Sequence, residues 1–427
     1  MGTEGDLMES MSRDLVVLSH LRWNWVWQRP QHLVSRFSAA RAEYGARTWF
    51  VEEPMFEDVD SPALRTKEVG GVTRVWLAIP ELLSGPVPVI PGYGKHLGFD
   101  APAAKEYGEL LLDLFEREGR PSEPHVFVYT PLALDAARSL NPGVLIYDVM
   151  DDLSSFSKAA PGLGLAQRRL LAASDVVFTG GKSLHQSVVN EYRGEAHLFA
   201  SGVDVAHYAS SRQRRAASGT RTRVAGYVGV IDERVDLDLL AGLADALPDW
   251  TIRVVGPVAK IEPESLPRRR NLDYCGMAAY RALPAIMAGF DVALMPFALN
   301  EATRSISPTK TLEYLAAGLP VVSTRIPDVV AEYSEVVRFA ATASEFATAC
   351  AQVIDDSREE RDRRALSIQA SRDWGAIAAS MLQLIDLADE RRAETRTEAE
   401  ETGESLPLYD DLDFANGAPT ANSEALT

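Results

Sequence analysis

Residues 291–324 read DVALMPFALNEATRSISPTKTLEYLAAGLPVVST, and this one segment spells a strand, a polar loop, a helix and a second strand in succession. DVALMPF is a short apolar run of the kind buried on both faces of a parallel sheet. A polar loop follows to Ser307. The helix is expected to begin at Ser307-Pro308. Serine satisfies free backbone N–H groups there, and proline, which lacks an N–H, loses nothing at the first helical position. Gly318 supplies the helix stop, and Leu-Pro leads into VVST.

Lys310 falls in the first turn of that helix, where a cation opposes the helix dipole by roughly 0.3–1 kcal/mol. A bound anion turns that arrangement favourable, because free N–H groups and a lysine together suit a diphosphate. Glu313 lies about one turn deeper on the same face, and a carboxylate accepts hydrogen bonds from paired hydroxyls such as those of a ribose. A plain surface Lys–Glu pair is the competing reading. The small alanines and the glycine stop favour close packing beside a ligand.

Outward from this segment, apolar runs and helical stretches alternate along most of the chain. RVAGYVGV (223–230), TIRVVG (251–256), LDYCG (272–276) and VVRFA (336–340) complete one α/β unit. DLVVLS (14–19), RTWFVEE (47–53), TRVWLAI (73–79), HVFVYT (125–130), VLIYDV (144–149), DVVFTG (175–180) and AHLFAS (196–201) build another, with helices expected at 101–118 and 162–173. Alternating strands and helices imply parallel sheets. The expected domains are 14–208 and 223–370, joined by a polar linker at 209–222, with residues 371–392 as helix beyond the second domain. Residues 1–13 and 393–427 are expected to be disordered. Two such sheets face each other across a cleft at their strand carboxyl ends, where ligands of open α/β folds bind.

The totals exclude several classes. The chain has 427 residues, formal net charge −18, and two cysteines, Cys275 and Cys350, which read as reduced thiols in a cytoplasmic protein. The acidic balance argues against nucleic acid as a partner. Residues 390–427 hold ten acids against three bases, so much of the charge is in the tail, a candidate docking element. No run reaches the roughly 20 apolar residues of a membrane span, although peripheral contact at the inner face of the membrane stays open.

PTKTLEYLAAGLPVVST resembles the donor-nucleotide segment of GT-B glycosyltransferases of the group 1, family 4-like kind, which share a Pro-x-Lys-x-x-Glu…Gly-x-Pro-Val-Val pattern. GYVGVIDERVDLDLL (226–240), WTIRVVGP (250–257), SGVD (201–204) with Tyr208, and Trp374 with its helix resemble further parts of that fold. The resemblance implies two Rossmann-like domains, a C-terminal helix crossing back, and a donor site of Gly229, Arg234, Ser307, Pro308, Lys310, Thr311 and Glu313. The loop carrying Asn300, Thr303 and Ser305 is the donor-sugar region. Many retaining enzymes of this fold have a second glutamate about two helical turns before the first, and here that place falls on Ser305. WVWQRPQHL (25–33), FVEEP (50–54) and YDVMDD (147–152) resemble a subgroup acting in bacterial exopolysaccharide and teichuronic-acid-type polymer assembly, in which an N-domain aspartate serves an inverting reaction. The implied substrates are a UDP-sugar donor and a saccharide or lipid-linked acceptor, with no further cofactor.

An inverting transfer needs a base for the acceptor hydroxyl. Asp151, at the mouth of the strand 144–149, is the first candidate, with Asp148 and Asp152 as reserves. Any of them can equally cap the following helix. His20, Arg22, Trp25 and Arg29 form the expected acceptor side. Gly180-Gly181-Lys182-Ser183 reads as a tight turn. The seven histidines show no zinc spacing, and scattered Asp-x-Asp pairs do not follow strands as a metal–diphosphate site requires, so no metal is expected. Two alternatives remain: a nucleotide-sugar epimerase or hydrolase on the same fold, and a non-catalytic scaffold.

Overall fold

The computed structural model describes residues 10–402, apart from 82–88, 91–93, 96, 121–122, 157–158, 160–161, 193, 217–221 and 357. The first sheet is built from β1 (Leu15–Ser19), β2 (Thr48–Glu52), β3 (Met55–Phe56), β4 (Ala63–Val69) and β5 (Val72–Ile79). A hairpin of β6 (Val89–Ile90) and β7 (Gly94–Lys95) stands apart, and β8 (His125–Val128), β9 (Val144–Val149), β10 (Val176–Thr179) and β11 (Ala196–Leu198) complete the sheet. The order is β11-β10-β9-β8-β1-β2-β5-β3, all parallel, with β4 antiparallel on β5. The sequence pattern did not single out β4, because ALRTKEV is mostly exposed and carries no buried run. The second sheet is β12 (Val224–Val228), β13 (Thr251–Val255), β14 (Leu272–Tyr274), β15 (Val292–Met295), β16 (Val321–Ser323) and β17 (Val337–Phe339). Its order is β14-β13-β12-β15-β16-β17, parallel throughout.

Strand periodicity explains how the first sheet is covered. Successive side chains of β1 point to opposite faces. Val16 and Leu18 join one core layer, and Leu15 and Val17 the other. That second layer also contains Trp374, Ile377, Met381, Ile385 and Ala388. These positions share one face of the helix Trp374–Thr402, at the spacings a helix repeats. The C-terminal helix therefore closes the N-terminal sheet.

Several expected boundaries are corrected. Residues 10–13 are anchored: Ser10 Oγ donates to Asp386 (2.7 Å) and Arg13 pairs with Asp389 (3.2 Å). The crossing helix runs past 392 to Thr402, held by Arg392 on Asp175 (2.9 Å) and Arg396 on Glu123. The rest of the expected disordered segments, residues 1–9 and 403–427, lies outside the described residues. The expected linker is helical through Ala216, as part of Val205–Ala216. Its basic residues have work inside the fold. Arg212 donates to the carbonyls of Leu315 (3.0 Å) and Ala316 (3.1 Å), capping the helix Lys310–Ala316, and pairs with Asp362 (2.8 Å). Tyr208, expected to close the first domain, sits in the core of the second.

Trp374 is 1% exposed and its ring stacks on His32 at 5.2 Å. Gly202 leaves the room: a Cβ there would meet Trp374 Cδ2 at 2.9 Å. Trp374→Ala is expected to lower the unfolding free energy by about 3–5 kcal/mol in urea titration. A change below about 1 kcal/mol would show that this helix does not hold the fold together.

Candidate functional site

The cleft between the two sheets encloses about 910 Å³, its open mouth included. From the second domain it is lined by Gly229, Arg234, Ser307, Pro308, Lys310 and Glu313 among others; from the first by Trp27, Arg29, Met150 and Asp151. Strand ends aim these residues inward. β12 delivers Gly229 and the turn carrying Arg234, while β9 delivers Asp151.

Lys310 packs closely against Gly229. A Cβ there would lie 2.1 Å from Lys310 Cε. The lysine thus crosses directly over the end of β12. Its helix is tied to that strand by the Tyr314 hydroxyl, which accepts from Val228 N (2.8 Å). The helix begins at Lys310, not at Ser307-Pro308, and has seven residues. Thr309 holds the cap position without a side-chain bond. Ser307 is instead used between domains, where its Cβ would lie 2.7 Å from a Cβ on Gly181. With so short a helix, the side-chain cations carry the electrostatics of the site.

Burial pushes the Lys310 ammonium below its usual range; Glu313 opposes the shift and Arg234 adds to it. Burial raises the Glu313 carboxyl, with Lys310 opposing. Arg234 is bound to Asp232 through Nε (3.0 Å to Oδ1) and Nη2 (2.6 Å to Oδ2). Burial disfavours its charge, but Asp232 overrides this and the net direction is up. The same partnership overcomes the burial of Asp232 and holds its carboxyl down. Burial raises the Asp151 carboxyl even though Arg234, Lys260 and Lys310 all pull it down. Desolvation therefore wins at both Asp151 and Lys310 and disfavours the charged form of each, a pattern found at working sites.

The other expected residues divide. Asp148 is not available as a base: Arg29 clamps both its oxygens (2.7 and 3.0 Å) and also donates to the Phe199 carbonyl (2.6 Å). The two side chains are 3% and 0% exposed, so Arg29 forms part of the cleft wall with its charge already spent on Asp148. Asp152 accepts from Ser154 Oγ (2.6 Å) at the head of the 3-10 turn Leu153–Ser155. Thr311 faces the core and donates to Met295 Sδ (3.3 Å). Thr303 is buried, donating to the Ala298 carbonyl (2.6 Å), and Asn300 donates to the Glu233 carbonyl (2.9 Å). They shape the turn Glu301–Arg304 inside what reads as loop, and with Ser305 they lie off the described cleft lining. His20, Arg22 and Trp25 are also off that lining. Arg22 donates to the carbonyls of Glu53 and Pro54 and pairs with the buried Glu52 (3.6 Å), which fixes the loop.

The tryptophans separate by role. Trp23 is core, edge-on to Phe50. Trp27 stacks on Tyr280 of the second domain at 4.8 Å, and His207 stacks on the same ring at 4.0 Å. Burial pushes the neighbouring His32 down to about 3, so its ring stays uncharged in this interdomain cluster. Gly180–Ser183 is a second interdomain contact: Ser183 N and Oγ both donate to Asp328. Among the described residues, no group of three or more His, Cys, Asp or Glu is placed to hold a metal ion.

Comparison with known proteins agrees with this geometry. Residues 222–356 match the family model described as Glycosyl transferases group 1. The chain is 26% identical over 235 residues to a Bacillus subtilis (strain 168) glycosyltransferase assigned to teichuronic acid biosynthesis, covering 51% of this chain and 58% of the relative. The match thus spans less than two thirds of that relative's length. Sucrose-phosphate synthase from Thermosynechococcus elongatus superposes with TM-score 0.64 at 13% identity, over 87% of this chain and 98% of that one. A trehalose-6-phosphate structure from E. coli, bound with UDP-2-fluoro glucose, gives TM-score 0.60 at 13% identity, over 87% and 99%. The chain has the GT-B fold, and its residues 222–356 are similar to group 1 glycosyl transferases.

Within residues 222–356, sequence reasoning missed Asp232, Lys260 and Tyr280. Asp232 had a local signal, two residues before Arg234. Lys260 and Tyr280 had none, because their importance comes from contacts with the other domain. The Arg29–Asp148 pair tests the structural assignment. Arg29→Met strands a buried carboxylate and is expected to lower stability by about 3–5 kcal/mol. The double change with Asp148→Asn should recover part of that loss in the same denaturant titration, and no recovery would mean that the two side chains do not act as a pair.

Proposed function

We propose that this protein transfers a sugar from a nucleoside-diphosphate sugar, with UDP as the nucleoside diphosphate, to a hydroxyl of a saccharide or lipid-linked saccharide acceptor. The observation that carries the reading is the convergence of Arg234, Lys310 and Glu313 on one wall of a cleft whose other wall presents Asp151. Arg234 and Lys310 serve the diphosphate, and Glu313 the ribose hydroxyls. A desolvated ammonium gains most from an anion. The relative assigned to teichuronic acid biosynthesis supports a cell-surface polymer as product. With a lipid-linked acceptor the work lies at the inner face of the cell membrane. Among the described residues no helix is long and apolar enough to cross it.

Asp151 is the general base in this reading. The acceptor oxygen forms a bond to the anomeric carbon as the bond from that carbon to the phosphate oxygen breaks. The acceptor proton passes to the Asp151 carboxylate, and the bonding electrons leave with the diphosphate. Configuration inverts, in keeping with Ser305 where a second glutamate stands in many retaining relatives. Neutralisation by Arg234 and Lys310 makes the leaving group competent without a metal ion.

Two experiments test this. Calorimetry with UDP, GDP, ADP and TDP, without added metal, is expected to find one ligand, UDP, whose binding is lost on Lys310→Ala. If none of the four binds, the transferase reading fails and a non-catalytic scaffold takes its place. For Asp151, Asn is expected to reduce kcat by about 10²–10⁴-fold. The acidic limb of the wild-type pH–rate profile should lie above the ordinary carboxylate range, since burial raises this carboxyl. A raised folded-state pKa favours the folded protein at low pH, and that contribution is lost as pH rises through the shifted value. Asp151→Asn should therefore not lower the neutral-pH melting temperature. A variant that keeps its turnover, or simply unfolds, speaks for a helix-capping aspartate instead.

A further inference from the structure

Lys260 stands beside Arg234, off the described cleft lining, on a loop that no expected function uses. It follows β13 and is joined to the Arg234 loop by a short parallel bridge. Ile231 N donates to the Pro257 carbonyl (2.9 Å), and Ala259 N donates back to the Ile231 carbonyl (3.0 Å). Lys260 is the next residue, so its position is locked to that of Arg234. The bridge is possible because β12 and β13 end in glycines at close quarters. A Cβ on Gly256, at φ +151°, would lie 1.8 Å from the Gly229 carbonyl oxygen. Lys260 itself is held at φ +64°, in the left-handed region that residues other than glycine seldom occupy.

Its ammonium is poorly satisfied there. Among the described residues it makes no hydrogen bond or ion pair. Its nearest counterpart is an aromatic face, with Nζ 3.7 Å from the ring centroid of Phe156 in the other domain. The same ring lies 5.5 Å from the Arg234 guanidinium carbon. Burial lowers the affinity of Lys260 for its proton, Arg234 lowers it further, and Asp232 and Asp151 oppose. A strained backbone thus delivers a further cation beside Arg234, and its Nζ rests on a neutral ring within reach of the charges of Asp232, Asp151 and Glu233.

We propose that Lys260 is a further ligand of the donor diphosphate, resting against Phe156 and turning to the phosphate oxygens when donor binds. The proposal rests on the donor-site reading above and extends it. A third cation neutralises the charge that grows on the leaving diphosphate as its bond to the sugar breaks. It belongs to the transition state more than to the bound donor, and so acts on kcat. Phe156, carried by the segment that follows Asp151, serves as its resting place.

Calorimetry with UDP, UMP and uridine separates the possibilities. Lys260→Met is expected to weaken UDP by about ten- to hundredfold while leaving uridine unchanged and UMP affected less. Lys260→Arg should restore most of the loss. Phe156→Leu removes the resting place alone and should keep the wild-type preference for UDP over UMP. Melting curves confirm that each variant is folded. If wild-type protein binds UDP and Lys260→Met binds it equally well, the Lys260 assignment is wrong while the donor site stands. If Phe156→Leu reproduces the full loss of Lys260→Met, the lysine is only an interdomain contact and the assignment is overturned. If wild-type protein binds no UDP, the underlying reading falls, and this assignment with it.

Discussion

The burial of one face of the helix Trp374–Thr402 against the N-terminal sheet holds the architecture in place. Trp374, Ile377, Met381 and Ile385 complete a core that the first sheet cannot close by itself. The segment leading into this helix leaves the second domain, and Val203 N donates to the Arg372 carbonyl (2.8 Å) where the chain crosses. The chain therefore passes between the domains twice at nearly the same place. That double crossing, with Trp27, His207 and Tyr280 stacked beside it, keeps the carboxyl ends of the two sheets face to face. With the bonds from Ser183 to Asp328, it keeps Asp151 and Lys310 on facing walls of one cleft.

Inside the cleft, desolvation outweighs the pull of neighbouring charges at most of the ionisable groups. Lys310, Lys260, Glu313 and Asp151 are each shifted toward their neutral forms, and burial is the largest cause for all four. The exception is the Arg234–Asp232 pair, whose direct hydrogen bonds keep both members charged. One cation is thereby fixed in place, and the lysines beside it lack such a partner. Arrangements of this kind are poor for stability and good for holding a polyanion, because a fixed charge in a water-poor site needs no reorganisation when ligand arrives.

Much of this was legible in the chain. Two α/β units and the cleft-lining place of Lys310 and Glu313 follow from local patterns, buried apolar runs and a helix ended by a glycine, while the crossing helix and the place of Gly229 and Arg234 follow from the family resemblance. What misled was local too. ASSRQRRAAS (209–218) is polar and reads as linker, yet its Arg212 caps the helix Lys310–Ala316 from within the fold. Thr311 belongs to a motif that reads as ligand-binding, but on a helix it falls on the buried side beside Met295. β4 escaped notice because an edge strand exposed on its surface need not carry a hydrophobic run.

By itself the sequence determined the class of fold and the charged residues that the second domain brings to the cleft. Periodicity and helix signals act over a few residues, and those are what a chain displays directly. The tertiary structure alone decided which aspartate faces the cleft. Asp148 and Asp151 differ by three positions, yet Arg29, far off in sequence, consumes the first and leaves the second. It also decided that Lys260 stands beside Arg234 and against Phe156. Such pairings arise when separate elements pack and lose water together, and no spacing along the chain encodes them.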